Sequence, residues 1–190
     1  MTLIPTPSQT VGPYLHLGLT DTKSAACMAL ASVRGERVRL TCRLLDADGL
    51  PVPDAMIEVW QADAEGRYPS LEDARTTAVD PAFRGFGRMP TSEDGTCCFE
   101  TIKPGRVPGS TGGLQAPHIN VSILGRGLLL RLSTRIYFAG DPANAADPVL
   151  ALVPENRRAT LMAQPDPSSS GSWFFEIRLC GEGETVFFDL

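Results

Sequence analysis

Histidine and tyrosine, the side chains best suited to metal or acid–base chemistry, are scarce in this sequence. The histidines are His16 and His118, and the tyrosines are Tyr14, Tyr68 and Tyr137. A self-sufficient transition-metal site needs three or four convergent donors. His118 and Asn120 stand two residues apart, which on a strand places them on one face about 6.8 Å from each other. That is the spacing of a two-residue chelate, but an amide is a poor ligand for iron or zinc. One histidine beside one amide does not hold a transition metal, so His118 taken alone reads as a hydrogen-bonded structural residue. Arg126 stands between Gly125 and Gly127. Its ordinary reading is a solvated turn residue. The sharper one is an anion anchor, since a guanidinium fork on a rigid turn suits a carboxylate. Gly12-Pro13 reads as a simple bend or as a place where backbone approaches a ligand closely, which glycine permits.

Other chemistries lack their signatures. There is no GxSxG nucleophile elbow and no phosphate-binding GxxxxGK[ST] loop. Gly85-Phe86-Gly87 follows no clear strand. Asp46-Ala47-Asp48-Gly49 begins like a calcium loop but lacks the later ligands, so it reads as a hairpin turn. The five cysteines, Cys27, Cys42, Cys97, Cys98 and Cys180, are odd in number and form no CxxC. They argue against a disulfide framework, point to the cytoplasm, and are expected to act as small buried hydrophobes. The net charge of −5 comes with no basic tract, so neither nucleic acid nor an anionic membrane is an expected partner. No stretch is long enough to span a bilayer, and the first Lys or Arg is Lys23, which leaves no charged n-region for a signal peptide.

The elements that must position these residues follow from periodicity. Val38, Leu40, Cys42 and Leu44 alternate with polar partners, as do Ile119, Val121 and Ile123, then Leu130, Leu132, Ile136 and Phe138, then Trp173, Phe175, Ile177 and Leu179. Period two marks strands with one buried face. Further strands are expected over Met56–Ala62, Thr96–Ile102 and Thr185–Leu190. Turn residues punctuate them, so the fold class is all-β, an antiparallel β-sandwich with one or two short helices. Those helices are expected over residues 24–33, which are Ala-rich, and over Glu155–Ala163, which Pro154 introduces. Residues 63–95 show no clean period and read as a long excursion that is functional or packs on a partner. Residues 1–23 form a Pro-rich, uncharged arm, expected to be extended rather than helical. Residues 24–190 form a single domain.

At this point several motifs become recognisable. Thr6-Pro-Ser-Gln-Thr-Val-Gly-Pro-Tyr14, Glu58-Val-Trp-Gln-Ala-Asp-Ala-Glu-Gly-Arg-Tyr68, Phe86-Gly-Arg-Met89, Thr101-Ile-Lys-Pro-Gly105, Ala116-Pro-His-Ile-Asn120 and Arg135-Ile-Tyr-Phe138 occur in order. Together they resemble the intradiol ring-cleaving dioxygenases over nearly the whole chain. In that family two tyrosines and two histidines hold a ferric ion. Matched position by position, only His118 survives, while Arg75, Val107 and Asn120 replace the other three ligands. The resemblance therefore implies no metal and no catalytic residue in this chain.

It implies instead the iron-free subunit of a two-chain enzyme. The partner would be a homologous chain bearing Fe(III), and the two would join in a higher-order assembly. The substrates would be 3,4-dihydroxybenzoate and O2. The arm would reach the partner's pocket, with Gly12 and Pro13 lining it and Arg126 meeting the substrate carboxylate. Two other readings share the missing ligands: a β-sandwich binding module that does no chemistry, and a scaffold that never touches substrate.

Overall fold

The computed structural model describes residues 6–12, 14–19, 25–73, 79–109 and 112–189. Pro13 and Arg75 lie outside the described residues. The strands are β1 (Arg37–Leu45), β2 (Met56–Trp60), β3 (Phe86–Pro90), β4 (Thr96–Ile102), β5 (Val107–Pro108), β6 (Leu114–Gln115), β7 (His118–Leu124), β8 (Leu132–Phe138), β9 (Met162–Pro165) and β10 (Ser172–Arg178). Alternation sets which face each one buries. Val38, Leu40, Cys42 and Leu44 of β1, Ile119, Val121 and Ile123 of β7, Ile136 and Phe138 of β8, and Phe175 and Ile177 of β10 share one core. Each such aliphatic or aromatic side chain contributes about 1.5–3 kcal/mol by leaving water.

Eight strands form one sheet in the order β3-β2-β7-β8-β9-β10-β1-β4, while β5 and β6 pair separately. The sheet is nearly closed, and it is mixed rather than antiparallel. β1 runs parallel to β10, and β8 runs parallel to β9. The short β9 joins what would otherwise be two separate layers. On one side Met162 and Ala163 pair with Tyr137 and Phe138, and on the other Gln164 and Pro165 pair with Phe174 and Trp173.

Several expected elements differ. Residues 26–33 form no helix: Cys27 bridges to Glu100 and Ala29 to Phe83, which spends their backbone groups on the sheet. The arm does contain a helix, α1 (Tyr14–Leu19). All three prolines of the arm precede it in sequence, where a missing amide proton does no harm. Glu155–Leu161 is a 3-10 helix that ends where Met162 turns extended to enter β9, so the expected helix stops short of Ala163. Thr185–Leu190 is not a strand; among its described residues only Phe188 makes a bridge, to Ser133. The 63–95 excursion contains β3. There Gly87 is required by close packing, because a Cβ would sit 2.8 Å from Phe99 and 2.9 Å from Val59. Cys42 and Cys97 are buried, but Cys27 and Cys98 are half-buried and Cys180 is exposed, against the expectation for all five.

Candidate functional site

β7 carries chemistry at both ends. Its odd-numbered residues enter the core, so His118, Asn120 and Ser122 face outward. At the His118 end the polar groups are tied into the fold. His118 Nδ1 lies 2.8 Å from the Ala116 carbonyl, and its ring sits 5.9 Å from that of Tyr137, its register partner on β8. Burial pushes the His118 pKa down to about 4, the Arg135 charge adds to this, and the Ala116 carbonyl and Asp147 oppose it. The imidazole is therefore neutral at physiological pH. Burial likewise pushes the Tyr137 hydroxyl up to about 12.

Below this pair lies Asp147, whose carboxyl group is buried and fully used. Its Oδ1 accepts from Tyr137 Oη at 3.1 Å, Val149 N at 2.9 Å and Leu150 N at 2.7 Å. Its Oδ2 accepts from Ala116 N at 2.6 Å. Asp147 thus fixes the chain that leads into β7.

The remaining positions close a circuit around Asn120. Asn120 stands in register with Trp60 on one side and Arg135 on the other. Arg135 Nη1 donates to Gln115 Oε1 at 2.6 Å, Gln115 pairs with Val107, and Val107 shares with Trp60 and Tyr68 a cleft of about 590 Å³. The fold therefore brings Val107, His118 and Asn120 into one neighbourhood. A ferric site does not fit it. Val107 is a buried aliphatic side chain with no donor atom, Asn120 offers only an amide, and the Arg135 guanidinium stands beside the imidazole. Among the described residues no three His, Cys, Asp or Glu side chains converge to hold a metal ion.

The other end of β7 is built differently. Six residue steps of about 3.3 Å separate His118 from Leu124, so the turn that carries Arg126 begins about 20 Å along the strand from His118. Gly127 adopts φ 89°, which L side chains resist. Thr10 of the arm clasps this turn: its Oγ1 accepts from Gly127 N at 2.8 Å and donates to the Gly125 carbonyl at 3.5 Å. Gly12 follows Thr10, which grips this turn, by two residues in the chain. The Arg126 side chain is 75% exposed, with Asp54 Oδ2 3.4 Å from Nη2. A Cβ on Gly12 would meet nothing within 4 Å, so packing within this chain does not demand glycine there.

Sequence reasoning missed Thr10, Trp60, Arg135 and Asp147. Alternation puts Arg135 on the polar face of its strand, but its meeting with Asn120 depends on strand register. Thr10 lies 117 residues from the glycine it binds.

A family model described as Dioxygenase matches residues 11–181. The chain is 44% identical over 202 residues to the protocatechuate 3,4-dioxygenase alpha chain of Burkholderia cepacia, with 100% of this chain and 99% of that one covered. It is 42% identical over 158 residues to the protocatechuate 3,4-dioxygenase beta chain of the same organism, with 80% and 67% covered. Among solved structures, 3-chlorocatechol 1,2-dioxygenase from Rhodococcus opacus superposes with a TM-score of 0.66 at 21% identity, covering 90% of this chain and 71% of that one.

Proposed function

The chain belongs to the intradiol dioxygenase family, and from that premise we propose that it is the iron-free alpha subunit of a protocatechuate 3,4-dioxygenase. In this reading the assembled enzyme, located in the cytoplasm, cleaves 3,4-dihydroxybenzoate with O2 to 3-carboxy-cis,cis-muconate. Fe(III) belongs to a homologous beta chain, and alpha–beta units associate further. No helix among the described residues is long and apolar enough to cross a membrane.

This chain's share is positioning. Gly12, Pro13 and Arg126 border the partner's pocket. The Arg126 guanidinium receives the benzoate carboxylate and so fixes which way the ring lies, and holding reactants in one orientation is a large part of catalysis. The observation that carries the reading is the separation along β7. The exposed Arg126 guanidinium, on a turn whose backbone Thr10 holds, stands away from this chain's own His118 end, which supports a role toward a pocket of another chain.

The test uses Arg126→Ala in the assembled enzyme. A charge-assisted hydrogen bond contributes about 1.5–3 kcal/mol, so KM for protocatechuate should rise about ten- to a hundredfold while KM for unsubstituted catechol stays put. Equal effects on both substrates would refute the carboxylate role.

A further inference from the structure

Four residues line up across the outer face of the sheet. Phe86 of β3, Trp60 of β2, Asn120 of β7 and Arg135 of β8 stand in direct register, each beside the next. They share a groove of about 460 Å³ that Arg131 and Phe188 also line. Small-molecule pockets have volumes of about 300–1,000 Å³. The row grades from aromatic at one side to an amide and a guanidinium at the other.

The charges in the groove are unbalanced. Glu58, the carboxylate on its wall, is already held by Arg88, whose Nε and Nη2 donate to it at 2.7 and 2.6 Å. Arg135 has a neutral acceptor in Gln115. Among the described residues, neither Arg135 nor Arg131 has a carboxylate within ion-pair distance. A half-buried guanidinium with donors to spare is matched by a planar carboxylate, and aromatic walls take a flat ring by stacking or edge contacts.

We propose that this groove binds a small aromatic carboxylate. The ring lies against Trp60 and Phe86, and the carboxylate takes the Arg135 and Arg131 guanidinium groups and the Asn120 amide. The site binds and does no chemistry. It lies toward the opposite end of β7 from Arg126 and does not depend on that residue's role.

Calorimetric titration of the full chain with benzoate, and separately with inorganic phosphate, tests this. Saturable one-to-one benzoate binding is expected. Arg135→Gln and Asn120→Asp should each weaken it at least tenfold, and phosphate should bind far more weakly. Arg39→Gln, an exposed cation on β1, should leave the affinity unchanged. If Arg135→Gln fails to fold, Arg131→Gln on the exposed rim decides, with a loss of at least threefold expected. Absence of saturable binding, equal affinity for phosphate, or unchanged affinity in both Arg131→Gln and Asn120→Asp overturns the proposal. Loss of binding in Arg126→Ala with retention in Arg135→Gln moves the site to the turn and overturns it equally.

Discussion

The two ends of β7 use polar residues in opposite ways. At the His118 end the imidazole, the Tyr137 hydroxyl and the Asp147 carboxyl group are buried and bonded to one another's strands or to backbone. Their partners are groups of this chain, so what they do is hold it together. At the Arg126 end the side chain is exposed while the backbone beneath it is fixed by Gly127 and by Thr10. A rigid base under an exposed charged tip suits recognition of something outside the chain. Polar groups spent on the fold around His118 and Asp147, and a charge held out to solvent at Arg126, fit the subunit role proposed above.

Substitutions at the two ends should therefore part company in stability. Asp147→Ala leaves Ala116 N, Leu150 N and Tyr137 Oη without their acceptor, and each buried unsatisfied group costs about 1–3 kcal/mol. A loss of about 3 kcal/mol or more is expected in chemical denaturation. A loss below 1 kcal/mol would break the contrast, since the network would then be idle.

The pH dependence at the same end is the next largest effect. His118 titrates at about 4 in the folded chain, below its ordinary value of 6.5. As pH falls below about 6.5 the unfolded chain takes up the proton first, so stability is complete above that value and declines down to about 4. The decline is worth roughly 3 kcal/mol at most. His118→Gln should flatten that part of a stability–pH curve, and an unchanged slope would remove His118 from the account.

At the Arg126 end the stability effects are small and the functional ones are not. Thr10→Val removes a hydrogen-bonded clasp worth about 1 kcal/mol. It should raise KM for protocatechuate several-fold with little change in kcat, and Thr10→Ser should restore it. Arg126→Ala should alter stability by less than about 0.5 kcal/mol, as exposed substitutions do. A larger loss would make Arg126 structural and erase the distinction between the two ends.

How much of this could be read from the residues depends on range. Strands β1, β7, β8 and β10 announce themselves by alternation, and the Asp46–Gly49 turn by its composition: Asp46 Oδ1 accepts from Asp48 N and Leu50 N. That Val107 and Asn120 bring no imidazole or phenol is equally local. The parallel pairings are not local, because β9 contributes two residues to each neighbour and carries no period of its own. Residues 26–33 depart from their Ala-rich composition because alanine favours a helix only until a strand such as β4 offers better partners. The Arg135–Asn120 neighbourhood required the β7–β8 register, and register is set by tertiary packing.

The central claim is that this chain cannot hold the family's iron by itself. The direct measurement is metal content and O2 uptake on the full chain purified alone, compared with the chain co-purified with a beta chain. The account predicts background iron, no colour and no oxygen consumption on 3,4-dihydroxybenzoate for the chain alone, with iron and activity arriving together when the beta chain is present. Stoichiometric iron and oxygen uptake by the lone chain would contradict it.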